Sequence, residues 1–529
     1  MFSVVLLCCL IPAVDVFALP VQNYVPDENG NYYWEPLTKY VAGSHSVLPS
    51  LFIVGGARAS ALPEQYDSRT AGVETDVKVQ GGTSACWAIA ATDVLQMNLL
   101  KQGVMAADFS EAHLAWFAHR SLVFGTERDA GDGTNIASPY IHGGNWVDAA
   151  VTLSRWVGPA LESDFPFDSQ NISSMGNYSE SQRRKREASL TSAVCFYSKN
   201  NDVPAALSAK QVNAIKQAIS SNGAVQMSFY SDGTCYSDKS GVMVYYQNKT
   251  YATNHAIVVI GWDDFFSAEN FPETCRPSSD GAWLCKNSWG SKWGDDGYFW
   301  ISYEEASLNQ IVSFTADEKQ KYDENYQYDG FGFHGRVYSE DYIRFVNVYT
   351  ADSDCELAAV GTWFLQDGAP YTIDVYKNID VNTGEPVGKT AAATVSGAAE
   401  FYGYRVIDLD ETVFVKKGET FSVAVTLTAD SDCKLVNAGI ENKNADDFVS
   451  SSKTGQSFVQ IEREGKWYDT AAEGLNNVCL KVFTAHNHFT SVVGMRCEEC
   501  GEMVSVMDLS FVRRLVAMFR LLLDSLPAY

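Results

Sequence analysis

The hydrophobic period of this chain changes once, near residue 320, and that change limits the folds open to it. From "LPEQYDSRTAG" to about residue 316, helical and strand-like patterns alternate. Beyond it, "YTIDVYKNI" and "ETFSVAVTLTA" alternate strictly, with Phe421, Val423, Val425 and Leu427 on one face. The first pattern requires mixed helices and strands over 63–316, and the second reads as an all-β sandwich over 322–485. "VFVKKGETFSV" reads as two strands joined at Lys-Lys-Gly. "ADSDCELAAVG" and "ADSDCKLVNAG" place Cys355 and Cys433 in like settings, either as a disulfide or as two independent buried thiols. With 46% hydrophobic residues in 529, there is material to fill both cores.

The ends read differently. "MFSVVLLCCLIPAVDVFALP" has a short apolar run with Val16 and Ala18 ahead of a cleavage point, so 1–18 is expected to be a signal peptide and 19–62 a short propeptide or N-terminal extension. A secretory route implies an extracellular or lysosome-like destination, where disulfides are permissible and Asn171, Asn177 and Asn248 are glycosylation acceptors in a host with that machinery. The tail, 486–529, holds His486, His488, Cys497 and Cys500. That is a conceivable zinc set, but it lacks a second CxxC, so a local disulfide or free thiols is the preferred reading and no metal is expected. "DLSFVRRLVAMFRLLLDSL" reads as an amphipathic helix docking on protein. Its charges Arg513, Arg514, Arg520 and Asp524 break the apolar run, and no membrane span is expected.

With 65 acidic residues against 39 basic, the net charge of −26 excludes nucleic acid and anionic membrane surfaces as natural partners. One dense basic run opposes that trend, Arg183 to Arg186 in a polar loop that follows two sequons. It is either a solvated loop or a site where a processing protease cuts after Arg186.

The chemistry gathers at "VQGGTSACWAIAATDVLQMNLLKQG". Trp87, Ala90, Ala91, Val94 and Leu95 recur at the spacing of one apolar helix face, with Gly103 as a stop, so Cys86 falls in the first helical turn. There the free N–H groups and the positive end of the helix dipole favour a thiolate. A buried inert thiol is the competing reading. "YATNHAIVVIGWDD" puts His255 at the head of a buried strand, "GAWLCKNSWGSKWGDDGYFWI" puts Asn287 beside Trp289, and Gln80 lies six residues before Cys86. A thiol, a base, an orienter for that base and an amide donor are the parts of nucleophilic acyl transfer.

These segments resemble the papain family of cysteine peptidases. Gln80, Gly81, Cys86 and Trp87 match its oxyanion glutamine, glycine loop and Cys-Trp pair. His255 and Ala256 match its His-Ala, Lys286 to Gly290 with Trp293 and Gly294 its Lys-Asn-Ser-Trp-Gly and following Trp-Gly, and Gly143 and Gly144 its substrate-binding glycines. The resemblance implies an α+β two-lobed catalytic domain over 63–316 and a cysteine endopeptidase acting on polypeptides without a cofactor. It also implies roles: Cys86 as nucleophile, His255 as base, Asn287 as its orienter, Trp289 as the shield of their bond, and Gln80 as oxyanion donor. Ala256 would wall the second substrate subsite and leave room for a bulky apolar residue. Two family cysteines are replaced by Thr83 and Ile141, and the usual Gly-Ser before the nucleophile is Ser84-Ala85.

The segment over 322–485, through "YDENYQYDG" and "GLNNVCLKVFTA", resembles the lectin-like domain that follows papain-type domains in bacterial and archaeal surface or secreted proteins. That adds cell-surface carbohydrate as a candidate partner, with no residue assignable to a sugar site. The rival reading is a silent adhesin or carbohydrate-binding protein with a papain scaffold. Intact Gln80, Cys86, His255 and Asn287 argue against it.

Overall fold

The computed structural model describes residues 62–485, apart from 105–106, 121–132, 381–384, 442–447 and a few isolated positions. The expected signal peptide, nearly all of the 19–62 extension, and the tail with His486, His488, Cys497 and Cys500 lie outside the described residues.

Four helices build the first lobe and its flank: α1 (Cys86–Gln102), α2 (Glu111–Ala118), α3 (Trp146–Ser154) and α4 (Ala209–Asn222). The stop expected at Gly103 is present. Gly103 takes a left-handed φ of 70°, and its N–H closes onto the carbonyls of Leu99 and Leu100. The single apolar face expected for α1 is not what forms, because Trp87 through Leu99 are all buried. α1 is a central helix, and its polar residues find partners inside: Gln96 Oε1 accepts from the Phe109 N–H at 3.2 Å, and Asn98 Oδ1 from the Ala316 N–H at 3.0 Å.

The strands of the catalytic part are β1 (Gln65–Asp67), β2 (Ala188–Tyr197), β3 (Val225–Phe229), β4 (Tyr236–Lys239), β5 (Val242–Tyr245), β6 (His255–Asp263), β7 (Ala282–Lys286), β8 (Tyr298–Ser302) and β9 (Asn309–Glu318). Those that follow include β10 (Tyr322–Tyr326), β11 (Tyr342–Thr350), β12 (Cys355–Phe364), β13 (Ala369–Lys377), β14 (Ala393–Ala399), β15 (Gly403–Val415), β16 (Thr420–Thr428), β17 (Ser457–Gln460) and β18 (Leu480–Ala485). Strands β14-β13-β16-β11-β17 form one layer of the sandwich, and β10-β18-β12-β15 the other. The face read from the sequence is the core face, with Phe421, Val423, Val425 and Leu427 fully buried against Leu357, Val360 and Val482 of the opposite layer. The strands flanking Lys-Lys-Gly lie in different layers, so that turn crosses the sandwich.

The sandwich is not a separate bead. β15 pairs with β2 through Gly403↔Val194, Tyr404↔Ala193 and Arg405↔Ser192, so one sheet of 13 strands runs through both domains. Gly403 is required there: at φ 143° a Cβ would lie 2.1 Å from the Ala193 carbonyl oxygen. Beside this seam the core is shared, and Trp146, Phe333, Trp363, Leu365 and Tyr404 belong to one buried cluster with α1.

One expectation is corrected in part, and one pair of alternatives is decided. The basic run is only partly solvated: Arg184 and Lys185 are exposed, while Arg183 and Arg186 pack inward. Arg183 is buried, with its guanidinium 4.7 Å from the Phe117 ring centre and donating to the Phe117 and Arg120 carbonyls. Arg186, where processing is the alternative reading, lies 3.8 Å over the Trp156 ring and donates to the Lys319 carbonyl at 3.0 Å, so its side chain packs at the domain junction. Cys355 and Cys433 do not pair: both are buried free thiols, and the Cys433 thiol points at the Leu435 carbonyl. The sequon residues Asn171, Asn177 and Asn248 are exposed. Among the described residues, no helix is long and apolar enough to cross a membrane, and no group of three or more His, Cys, Asp or Glu side chains is placed to hold a metal.

Candidate active site

Cys86 is the first residue of α1, after Ala85, which makes no side-chain cap. The first-turn N–H groups therefore remain available at the thiol. His255 opens β6, and Asn287 follows β7, the neighbouring strand. His255 Nε2 donates to Asn287 Oδ1 at 2.8 Å, the direction fixed because that oxygen only accepts. The bond places the proton on Nε2 and leaves Nδ1 bare. Trp289 stacks on the imidazole at 5.1 Å between ring centres and 18° between planes, covering the bond on one side.

The segment carrying Gln80 is zipped to the segment carrying Asn287. Val79 bridges Trp289, the Gln80 N–H donates to the Ser288 carbonyl at 2.8 Å, and the Gly290 N–H to the Lys78 carbonyl at 3.0 Å. Ser288 Oγ donates to Gln80 Oε1 at 2.6 Å, which turns the Gln80 amide so that Nε2 bonds the Thr83 carbonyl at 3.1 Å and keeps a second N–H to offer. Thr83 stands where the family carries a cysteine. Its hydroxyl donates to the Gln80 carbonyl at 2.7 Å, and the Ser84 N–H donates to the Tyr140 carbonyl at 2.9 Å, so hydrogen bonds hold together what a disulfide would. Ile141, the other replaced position, is exposed.

Gly143 and Gly144 lie on the segment facing α1. Gly143 has φ 87°, and its carbonyl accepts from His119 Nε2 at 2.9 Å. A Cβ on Gly144 would lie 2.4 Å from Trp87 Cε2, so only glycine lets this segment approach the residue beside Cys86. Ala256 is buried and lines one small pocket with Cys86, Asn287 and Ser288.

Burial raises the Cys86 thiol above its ordinary value, against opposing backbone hydrogen bonds from Ala256, Trp87 and Cys86 itself. Burial pushes His255 down to about 4, with the Asn287 bond opposing. Both shifts favour the uncharged thiol and imidazole. This reverses the lowered thiol expected from the helix terminus alone, because burying one unpaired charge costs more than a helix end returns.

Sequence reasoning missed three supports of this site. Ser288 aims Gln80, as above. Lys286 Nζ meets Asp93 Oδ2 at 2.6 Å with both side chains almost wholly buried, and so ties the end of β7 to the middle of α1; Thr75 also bonds both. An aspartate inside the apolar run of α1 was the available signal. His119, the third, had none in its own segment.

Residues 62–316 match the papain family cysteine protease profile, and residues 325–484 match the lectin-like domain profile. A cathepsin L-like proteinase of Fasciola hepatica is 24% identical over 264 residues, covering 49% of this chain and 66% of that protein. Procathepsin L of Felis catus is 26% identical over 256 residues, covering 48% and 65%. The chain thus spans about two-thirds of the length of these curated relatives. The solved cysteine protease and lectin-like domains of Cwp84, a surface layer associated protein of Clostridium difficile, superpose with a TM-score of 0.63 at 23% identity, covering 81% of this chain and 89% of that one. A clostridial Cwp84 structure determined after propeptide cleavage gives 0.64 at 23% identity, with coverage of 80% and 99%. At that identity the likeness speaks for the shared two-domain fold. Residues 62–316 belong to the papain family of cysteine proteases, and a lectin-like domain follows them.

Proposed function

We propose that the protein is a secreted cysteine endopeptidase that cleaves polypeptides through Cys86, His255 and Asn287, with the lectin-like domain as an accessory. The observation that carries this reading is the His255 Nε2–H to Asn287 Oδ1 bond under Trp289, which leaves Nδ1 bare at the strand end whose next residue, Ala256, lines one pocket with Cys86.

The chemistry follows from those atoms. His255 Nδ1 takes the thiol proton as Cys86 Sγ attacks the scissile carbonyl, so that thiolate and imidazolium arise together and offset each other's burial cost. The negative oxygen of the tetrahedral intermediate receives the Cys86 N–H and a Gln80 Nε2–H, one such donor contributing roughly 3 to 4 kcal/mol. The imidazolium returns its proton to the departing amine, leaving a thioester. Water then gives a proton to Nδ1 and its oxygen to the acyl carbon, and the thiol is restored.

Buried Ala256 leaves room for an apolar side chain in the second subsite. On the lectin-like domain, an open cleft of about 420 Å³ lined by Thr350, Asp380, Thr420, Lys453 and Gln456 offers hydroxyl, carboxylate, ammonium and amide groups suited to a saccharide. Secretion rests on the N-terminal apolar run and on the likeness to a surface layer associated protein. Cleavage of a fluorogenic peptide by the parent and its abolition in Cys86→Ala tests the enzyme reading. Equal turnover by both would defeat it.

A further inference from the structure

The lectin-like domain reaches the substrate-binding segment through packed side chains. Asn145 caps α3 directly after Gly143 and Gly144: its Oδ1 accepts from the Val147 N–H at 2.7 Å, and Asp148 answers to the Asn145 N–H at 2.8 Å. The cap fixes where the glycine segment ends and α3 begins. The first residue of α3, Trp146, is almost wholly buried, and it is held from the other domain. Its ring lies 6.0 Å from Trp363 at 51° and 5.4 Å from Tyr402 at 87°. Phe333 backs Trp363 at 4.7 Å.

The rest of α3 is held by the same domain. Gly332 lies so close to Val151 that a Cβ would be 2.4 Å from its methyl carbon, and Asn325 Nδ2 donates to the Ser154 carbonyl at 3.1 Å. On its other side the glycine segment has no slack, since Gly144 touches Trp87 and the Tyr140 carbonyl binds the Ser84 N–H. The segment is clamped between the nucleophile's helix and an α3 that the lectin-like domain holds in place.

We propose that Trp363 and Tyr402 are positioning residues for peptide binding: through Trp146 they set the register of Gly143 and Gly144 against α1, and so the subsite where an extended substrate lies along that segment. Neither residue touches substrate. Their effect falls on the binding of peptides long enough to use the glycine segment and spares the reactivity of the thiol, which is set by α1, His255 and Asn287. This rests on the peptidase reading of Cys86.

The test compares two readouts on the full chain. Turnover of a tetrapeptide amide reports the glycine segment, and alkylation of Cys86 by iodoacetamide, which is too small to need it, reports the thiol. Trp363→Ala is expected to raise KM for the tetrapeptide by roughly tenfold or more, since misplacement of this order costs up to about 10²-fold, while the alkylation rate stays within about twofold of the parent. Trp363→Phe is expected to restore most of the loss. Tyr402→Leu and Trp146→Phe carry the same expectation, and they decide the matter should Trp363→Ala not fold. Folded variants with the parent's KM overturn the proposal, as do variants in which alkylation and turnover fall together. A parent that neither cleaves peptide nor alkylates at Cys86 would instead overturn the peptidase reading.

Discussion

His255 Nε2 and Asn287 Oδ1 are 2.8 Å apart, and the same oxygen also accepts the Ser288 N–H at 2.8 Å. The Asn287 side chain is therefore itself held, and the imidazole is kept in one tautomer. Asn287→Ala is expected to lower kcat by roughly 10²-fold, chiefly through lost orientation of the imidazole. The bond raises His255 within a site whose burial brings it to about 4. The acid limb of kcat/KM is therefore expected near pH 4 in the parent and at lower pH in Asn287→Ala. A pH–rate profile that moves upward would contradict this.

Ser288 holds Gln80 Oε1 at 2.6 Å. Losing one neutral hydrogen bond of about 1 kcal/mol lets the amide turn away from the oxyanion. Ser288→Ala is expected to lower kcat by about tenfold with KM little changed, which corresponds to roughly 1.4 kcal/mol. Steady-state kinetics checks it, and an unchanged kcat would remove Ser288 from the oxyanion site.

Stability should fall as pH rises above about 6.5. Burial raises Glu111 to about 8 and Asp148, Glu162 and Glu305 to about 7, so each favours the folded state while protonated and loses that contribution as pH climbs from its unfolded value near 4 through its folded one. Burial lowers His113 and His255 to about 4 and His119 to about 3; these favour folding above 6.5 and lose that contribution as pH falls towards 3 to 4. Between about 4.5 and 6.5 the two sets oppose each other. Above 6.5 only the carboxyls act. Denaturant midpoints measured from pH 5 to 8.5 are expected to decline above 6.5, and Glu111→Gln is expected to make that decline shallower. A rise in stability towards pH 8 would contradict the sign.

The shared sheet predicts shared unfolding. Since β15 pairs with β2 and Trp146, Trp363 and Tyr404 occupy one cluster, the two domains are expected to melt in a single transition. The catalytic segment alone would expose Trp146, Val151 and Trp156, and is expected to aggregate. Two separate calorimetric transitions would contradict the continuous core.

Much of this was legible in the sequence for a definable reason. Local patterns carried the start of α1 at Cys86, its stop at Gly103 and the alternating face from Phe421 to Leu427, because helix and strand periods are properties of short windows. The resemblance carried Gln80, His255 and Asn287. What could not be read depended on distant partners. The all-round burial of α1 follows from the elements that surround it, the packing of Arg186 from Trp156 and Lys319, and the strand joining the domains from Gly403 meeting Ala193, more than 200 residues apart. Asp93 lay in view within α1, but its partner Lys286 is set by the fold.

The central claim is that Cys86 is the nucleophile, and one measurement addresses it most directly. The mature protein is incubated with a thiol-directed epoxide inhibitor at pH 6, digested, and the modified peptide identified by mass spectrometry. The account predicts stoichiometric modification of Cys86 with matching loss of peptide cleavage, and no modification in Cys86→Ala. Modification of Cys235 or Cys275, the other partly exposed thiols among the described residues, with Cys86 unmodified and activity retained, would contradict it.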